Sequence, residues 1–240
     1  MKTVQRWIII FFMLICLCGM GYSIYHIVIW KNHVENNQKI KKEIEDTIII
    51  KIEEEEKIDF KKLKEINPDV VGYLKIKNTD IDYVVVKGTN NSYYLKHNLK
   101  KEYNIAGWIF ADYKNMIDGN DKNLVIYGHD TKDGSMFGTL HNLLKKEVQE
   151  KNENEIVFIT ENETTTYQIF STYIIEPEDY YIKTDIKDEE YNDFLTTIKN
   201  RSNYDYKINV GTEDNVLTLS TCTDNGKKRV VVHARKEKTE

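Results

Sequence analysis

Cys222 is the one cysteine that lies beyond residue 18 of this 240-residue chain. It stands in VLTLSTCTDNGKKRVVVHAR, residues 216–235, after an apolar run and shortly before an arginine. An odd cysteine in an exported chain is an inert buried group, an intermolecular link or a reactive nucleophile. The nucleophilic role requires a thiolate, which in turn requires a nearby cation and a group that exchanges its proton.

Arg229 is the candidate cation. Because side chains alternate along a strand, Ser220 and Cys222 fall on one face of the first run, and Arg229 and Val231 fall on one face of the second. If the two runs pair antiparallel through the loop TDNGKK, Cys222 and Arg229 meet at the same rim of the sheet. A guanidinium there favours the thiolate and can hold a developing oxyanion. Taken alone, Arg229 also fits a solvated charge at a sheet edge.

Four histidines beyond the N-terminal region could exchange the proton: His97, His129, His141 and His233. His129 ends the run NLVIYGHD, so that it follows a buried strand and begins a loop, where rigid elements place catalytic groups beside substrate. His141 lies in a helical pattern, and His97 has no distinguishing feature. His233 is four residues beyond Arg229, roughly 13 Å along the strand at about 3.3 Å per residue. The pattern favours His129.

The elements that must position these residues are short β-rich runs separated by turn residues. Eight such runs at irregular spacing predict a mainly β fold, a closed barrel or a sandwich. They are Val71–Ile76, Tyr83–Lys87, Ala106–Phe110, Leu124–Tyr127, Ile156–Thr160, Tyr167–Ile175, Val216–Thr221 and Val230–Ala234. Two interruptions, SMFGTLHNLLKK and DEEYNDFLTTIKN, have the apolar spacing of helices.

The apolar run from Trp7 to Trp30 contains no Asp, Glu, Lys or Arg. As a helix it spans roughly 36 Å, enough to cross a bilayer with some tilt. Tryptophan stands at both ends, where amphipathic aromatics prefer the interface, and Lys2 and Arg6 keep the short tail in the cytoplasm. A cleaved signal peptide is the alternative, but the run is long for one and has no clear small-x-small cleavage site.

The residues after this run divide into a charged stretch and a β-rich one. Apolar residues recur every fourth position at Ile40, Ile44, Ile48 and Ile52, which is typical of one helix face, although the β-branched TIII weakens that pattern. We therefore expect a cytoplasmic tail at 1–6, a transmembrane signal anchor at 7–30, a juxtamembrane helical region at 31–66 and one barrel domain at 67–240. The location is then the cell membrane, with a single pass and the domain outside.

Composition excludes some function classes. Charged residues make up 30% of the chain and the formal net charge is −5, with both signs interspersed. That distribution predicts no nucleic-acid partner. The acidic residues show no metal-ligand spacing, so no metal site and no cofactor are expected.

The motifs resemble one enzyme family. TLSTC followed by RVVVHA, with VIYGHD and GSMFGTL upstream, is similar to the sortases, membrane-anchored cysteine transpeptidases of Gram-positive bacteria. INPDVVGYLKI, AGWIFADY and EEYNDFLTTIKN resemble class B in particular. The similarity runs from about residue 67 to 235. It implies an eight-stranded sortase-type β-barrel with N-terminal helices and one helix before the cysteine-bearing strand.

The resemblance also implies roles for individual residues. Cys222 corresponds to the nucleophile, His129 to the general acid/base and Arg229 to the group that stabilises the oxyanion and positions substrate. Positions that line the peptide groove in class B relatives correspond here to Asn91, Leu95, Tyr181, Ile182 and Ser220. The implied partners are the sorting-signal peptide of a secreted surface protein and a peptidoglycan precursor or cross-bridge amine.

Three other functions compete with this one. Papain-like cysteine peptidases place cysteine before histidine, whereas His129 precedes Cys222 here. Cysteine L,D-transpeptidases place histidine first, but they have a glycine before the thiol that LSTCT lacks. A non-catalytic membrane-tethered binding domain would leave Cys222 buried and unreactive, so alkylation of that thiol distinguishes it from an enzyme.

Overall fold

The apolar N-terminal run and the start of the charged stretch form one uninterrupted helix, α1 (Lys2–Ile48). No proline falls within it. The side chains of its first part are exposed, whereas Val34, Ile40 and Ile44 are buried against the rest of the chain at a spacing that keeps them on one helix face. The computed structural model describes residues 2–52, 55–151, 153, 155–223 and 226–237. α1 is the one helix in those ranges that is long and apolar enough to cross a membrane.

The stretch from 49 to 58 differs from the expected helical region at 31–66. A two-stranded hairpin, β1 (Ile49–Ile52) and β2 (Glu55–Ile58), follows α1 directly. The β-branched isoleucines explain the change, since such side chains lose rotamer freedom in a helix and favour strands. A short helix, α2 (Phe60–Ile66), then begins at Asp59, whose side chain accepts a hydrogen bond from the Lys62 amide at 3.1 Å.

Eight further strands close into a barrel. In chain order they are β3 (Val70–Ile76), β4 (Asp82–Val86), β5 (Phe110–Ala111), β6 (Asn123–Gly128), β7 (Glu155–Ile159), β8 (Thr164–Ile175), β9 (Val216–Thr223) and β10 (Lys228–Lys236). Around the barrel the order is β10-β8-β7-β3-β4-β5-β6-β9. The predicted eight-stranded barrel is confirmed, and each predicted run contributes one strand.

Most neighbouring strands in the barrel are antiparallel, but β6 runs parallel to β9, and β4 runs parallel to β5. β6 is almost continuously buried, and so are residues 216–221 of β9, as expected for parallel strands covered on both faces. Because the two strands point the same way, the residues that follow them emerge at one rim of the barrel.

Helices fill the two predicted interruptions. SMFGTLHNLLKK contains a 3₁₀ turn at Leu140–Leu144, followed by α3 (Lys146–Lys151). α4 (Asp188–Asn200) packs against β8 just before the cysteine-bearing strand, and three acidic residues in its first turn complement the helix dipole. Its buried residues are those that the sequence spacing predicted: Tyr191, Phe194, Leu195 and Ile198.

Candidate active site

The register of β6 and β9 brings His129 and Cys222 to one rim. Gly128 pairs with Thr221 at the end of the parallel ladder, and His129 and Cys222 are the next residues on each strand. The rim is crowded at Gly128, where a β-carbon would lie 2.4 Å from Ile109 Cδ1. Because glycine has no β-carbon, β6 can continue to this position, immediately before His129.

Arg229 reaches the same rim from β10. The predicted antiparallel pairing is confirmed, with Arg229 opposite Cys222. The Arg229 Nη1 donates to the carbonyls of Gly226 and Lys228 at 2.8 and 3.0 Å, which holds the half-buried guanidinium over the β9–β10 turn. The structure describes the main chain of Cys222 and not its side chain, and residues 224 and 225 of the expected TDNGKK loop lie outside the described residues.

The His129 ring is held by a main-chain carbonyl. Its Nε2 lies 2.8 Å from the oxygen of Leu95, which can only accept a hydrogen bond. Nε2 therefore carries the hydrogen, and Nδ1 is the ring nitrogen left to exchange a proton. Such a partner on the second nitrogen fixes both the tautomer and the orientation of an imidazole.

A pocket of about 400 Å³ opens at this rim. His129 and Arg229 both line it. So do all five residues that the class B resemblance marked as groove positions: Asn91, Leu95, Tyr181, Ile182 and Ser220. The structure thus gathers seven of the eight candidate side chains around one cavity, and the main chain of the eighth, Cys222, continues from the pocket residue Thr221.

One wall of the pocket is braced by a buried carboxylate. Asp112 Oδ2 accepts hydrogen bonds from Asn91 Nδ2 at 2.7 Å and from the Tyr127 hydroxyl at 2.8 Å, and Asp112 is 4% exposed. The Tyr113 amide donates to Asn91 Oδ1 at 3.0 Å. These contacts fix the orientation of the Asn91 amide, with its nitrogen towards Asp112 and its oxygen towards the Tyr113 main chain. Burial, and then the charge of Asp112, raise the pKa of Tyr127 well above its usual value, so this phenol stays protonated.

Another part of the pocket lining comes from the segment between β8 and α4, residues 176–187. The Tyr181 hydroxyl lies 3.0 Å from Ser220 Oγ on β9. Asn123 Nδ2 donates to the carbonyls of Tyr181 and Lys183 at 3.2 and 2.9 Å. Glu178 pairs with Arg201 at the end of α4. The segment forms no helix or strand, and these hydrogen bonds and the ion pair hold it against the rest of the domain.

The other candidate histidines lie away from the pocket. His97 stacks on Tyr93 with ring centroids 4.0 Å apart, and His141 is exposed in the 3₁₀ turn. His233 is 0% exposed inside the barrel, where its two nitrogens lie 2.8 Å from the hydroxyls of Tyr173 and Thr218. Burial lowers the pKa of His233 to about 3, so this ring is neutral and structural.

Sequence reasoning did not identify several residues that line the pocket or support the residues that do. Tyr127 had a usable signal, because it lies two residues before His129 and alternation places it on the same strand face. No sequence signal marked Asp112, Glu178 or Arg201, because each of them acts through a partner that is distant in the chain. Within the described ranges, no group of three or more His, Cys, Asp or Glu side chains is arranged to hold a metal ion.

Comparison with known proteins agrees with this geometry. The family model described as "Sortase domain" matches residues 74–237. Two curated relatives, sortase B of Listeria monocytogenes and sortase B of Staphylococcus aureus, are 38% and 34% identical over 148 residues. Each alignment covers 59% of this chain and 59% of the relative, so the match spans less than two thirds of either curated protein.

Solved structures are similar to this chain over a larger share of its length. Sortase B from Bacillus anthracis has a TM-score of 0.77 at 34% identity, covering 86% of this chain and 99% of that one. A Staphylococcus aureus sortase B–substrate complex has a TM-score of 0.74 at 31% identity, covering 88% of this chain and 98% of that one. The chain belongs to the sortase family, and its relatives place it in class B.

Proposed function

We propose that this protein is a cysteine transpeptidase that cleaves a C-terminal sorting signal of secreted proteins and joins the new carboxyl end to a peptidoglycan amine. The observation that carries the proposal is the strand register. β6, β9 and β10 bring His129, the main chain of Cys222 and Arg229 to one rim, beside a pocket large enough for several peptide side chains. Membership of the sortase family supports the same reaction.

In the first half-reaction, the Cys222 thiolate attacks a backbone carbonyl carbon of the sorting signal. A carbon–sulfur bond forms, and the carbonyl oxygen carries negative charge that the Arg229 guanidinium offsets. The carbon–nitrogen bond then breaks, and the leaving amine takes its proton from His129 Nδ1. The products are a thioester acyl-enzyme and a released C-terminal peptide.

In the second half-reaction, an amino group attacks the thioester. His129 removes a proton from the amine, a new amide bond forms and the Cys222 thiolate leaves. One amide is thus exchanged for another with no net change in protonation. Transfer exceeds hydrolysis because the site positions the amine for attack better than it positions water.

The pocket walls support a peptide substrate. Three separate parts of the chain line the pocket: Asn91 and Leu95 lie between β4 and β5, Tyr181 and Ile182 between β8 and α4, and Ser220 near the end of β9. Strand alternation places position 222 on the same face of β9 as Ser220, which faces this pocket. A peptide lying between the walls would therefore present its carbonyl to the thiol.

The apolar part of α1 would anchor the enzyme. Residues 7–30 are long enough to cross a bilayer, and Lys2 and Arg6 favour a cytoplasmic N-terminus with the barrel outside. The proposed reaction requires this placement, because both secreted proteins and the peptidoglycan amine lie on the outer side of the membrane.

The direct test is mass spectrometry of the detergent-solubilised full chain with a peptide library and a mixture of amines. We expect a peptide-sized acyl adduct on Cys222 and a transfer product whose carboxyl end is joined to the amine. Cys222→Ala removes the adduct and serves as the control. Cleavage without an adduct on Cys222 would contradict the proposed reaction, and hydrolysis alone with every amine would favour a peptidase.

A further inference from the structure

The part of α1 beyond Trp30 is packed against the loop between β4 and β5. Asn104 Nδ2 donates to the His33 carbonyl and to Asn37 Oδ1, both at 2.8 Å. Asn37 Nδ2 donates to the Gly107 carbonyl at 2.9 Å. Asn37 and Asn104 are each 1% exposed. Buried polar groups are costly to leave without partners, so these contacts fix the helix against the loop.

The loop forms a turn at residues 104–107 that the helix holds in place. Asn104 Oδ1 accepts from the Ala106 amide at 2.9 Å, and the Asn104 carbonyl accepts from the Gly107 amide at 3.0 Å. His33 Nδ1 accepts from the Ile105 amide at 2.9 Å. Four hydrogen bonds therefore join α1 to this turn.

The turn lies against the histidine of the candidate site. A β-carbon on Gly107 would lie 2.9 Å from His129 Cδ2 and 3.0 Å from the Leu95 carbonyl oxygen. That carbonyl is the partner of His129 Nε2 at 2.8 Å. Gly107 thus lies against both the imidazole and the group that orients it, and a displacement of the turn would change the support of the ring.

We propose that Asn37 is a positioning residue for His129, which makes α1 part of the active site as well as the proposed anchor. The Asn37 side chain fixes the Gly107 carbonyl, and Gly107 in turn supports the imidazole and the Leu95 carbonyl. Asn37 does not line the pocket, so it acts through the turn and touches no substrate. The inference rests on the role of His129 put forward under the proposed function.

This role separates the chemical step from peptide binding. Asn91 is held by Asp112, and Tyr181 by Ser220, so these pocket positions do not depend on α1. The bond to the Leu95 carbonyl keeps the imidazole hydrogen on Nε2 and leaves Nδ1 to exchange a proton. When the turn loses its bond to the helix, the ring populates both tautomers. The chemical step then slows, because fewer molecules present Nδ1 to the leaving amine.

The matched variants come from two neighbouring residues of α1. Asn37→Ala removes the bonds to Asn104 and to the Gly107 carbonyl. Asn36→Ala is the control, because Asn36 Oδ1 also binds this loop, accepting from Asn98 Nδ2 at 2.9 Å, by a bond that does not pass through Gly107. Each variant is made in the full chain and solubilised in detergent, and kcat and KM are measured with the peptide that the library identifies.

Nitrogen NMR of the imidazoles reports on His129 without reference to activity. The shifts of the two ring nitrogens show which one carries the hydrogen, and His129→Gln identifies the signals. The spectra are recorded in the Cys222→Ala background, so that no thiolate shares the proton. His233, 0% exposed inside the barrel, shows in the same spectra whether each variant is folded. Asn37→Ser, which keeps a polar group in the buried space, replaces the alanine variant if that variant does not fold.

With Asn37 present, we expect His129 to carry its hydrogen on Nε2. Asn37→Ala should give both tautomers, lower kcat about tenfold and change KM less than twofold. Asn36→Ala should leave the tautomer, kcat and KM unchanged. Hydrogen on Nδ1 with Asn37 present overturns the inference whichever variants fold, and so does a tautomer that the change at Asn37 leaves unaltered or an effect confined to KM. Absence of cleavage in the wild type would instead contradict the proposed function, and the NMR comparison would still decide the role of Asn37.

Discussion

Gly107 lies directly against the catalytic candidate His129. Gly107 has φ of +59°, and a β-carbon there would lie 2.9 Å from His129 Cδ2, 2.5 Å from the Tyr94 carbonyl oxygen and 3.0 Å from the Leu95 carbonyl oxygen. The left-handed backbone and the close main-chain contacts both require glycine at this position. The same residue joins α1 to the site through Asn37.

Gly107→Ala should therefore damage catalysis as well as stability. We expect a loss of about 2 kcal/mol in unfolding free energy from the strained φ and the contact with backbone oxygens. We also expect a fall of about tenfold in kcat, because His129 loses its alignment with Leu95. Thermal melting and steady-state peptide cleavage measure the two effects. Gly211→Ala is the control, since a β-carbon there meets nothing within 4 Å; equal effects of the two changes would show that the site does not depend on Gly107.

Cys222→Ala and His129→Ala should each abolish cleavage of a sorting peptide while the barrel stays folded. The first removes the proposed nucleophile, and the second removes the group proposed to protonate the leaving amine. Cleavage is followed by chromatography of the products and the fold by circular dichroism. His141→Ala is the matched histidine control, because His141 is exposed and does not line the pocket. Activity retained in either active-site variant would remove that residue from the mechanism.

Arg229→Lys should lower kcat by about 100-fold, the usual cost of one oxyanion donor. A lysine keeps the charge, but it has no second nitrogen that can face the pocket while the first binds the Gly226 and Lys228 carbonyls, as Arg229 Nη1 does. Lys228→Ala is the control on the neighbouring, exposed position of β10. The measurement is kcat with the peptide that the library identifies. A lysine variant as active as the wild type would show that only charge is needed at this position.

Asp112→Asn should weaken peptide binding more than it slows the chemical step. An amide at this position cannot accept all the hydrogen bonds that the Asp112 carboxylate accepts from Asn91, Tyr127 and the Lys114 amide. Asn91 then loses its fixed orientation at the pocket wall. We expect KM to rise about tenfold, or about 1.4 kcal/mol, with kcat changed less than twofold. Asp118→Asn, on an exposed turn, is the control. A fall in kcat alone would place Asp112 in a different role.

The barrel should lose stability in acid because of His233. The pKa of this buried ring is about 3 in the folded protein, against 6.5 for a free histidine. Below pH 6.5 the unfolded chain binds a proton that the folded chain does not, so the contribution is complete above pH 6.5 and is lost as the pH falls towards 3. At pH 5 the loss is about 2 kcal/mol.

Urea unfolding of the detergent-solubilised chain at pH 7 and pH 5 measures this difference. His233→Gln should flatten the dependence, because glutamine does not titrate and can still bond to Tyr173 and Thr218. His141→Gln should leave it unchanged. If the His233 variant and the wild type respond equally to pH, other groups cause the acid sensitivity.

Periodicity in the sequence was enough to predict the barrel and α4. The strands appear as apolar runs between turns, and the four buried residues of α4 stand at helical spacing. The hairpin at 49–58 was not predicted, because the fourfold spacing from Ile40 to Ile52 is also that of a helix. Here the strand preference of the consecutive isoleucines decides the structure.

The meeting of His129, Cys222 and Arg229 at one rim could be predicted from residue types, but the residues that support them could not. A lone thiol, a strand-ending histidine and an arginine across a hairpin all have local signals. The contacts of Asn91 with Asp112 and of Asn37 with Gly107 join residues far apart in the chain, and one sequence contains no trace of such pairs. These contacts orient the candidate catalytic groups, and they form only when the barrel closes.

The parallel pairing of β6 with β9 has a consequence for the newly made enzyme. β6 and β9, which lead to His129 and Cys222, are separated in the chain by β7, β8, α3 and α4, and they become neighbours only after the final hairpin has entered the sheet. Until then a chain emerging from the export channel holds its thiol without a base beside it. In terms of the reaction proposed above, the chain can therefore attack a sorting signal only after the barrel has closed.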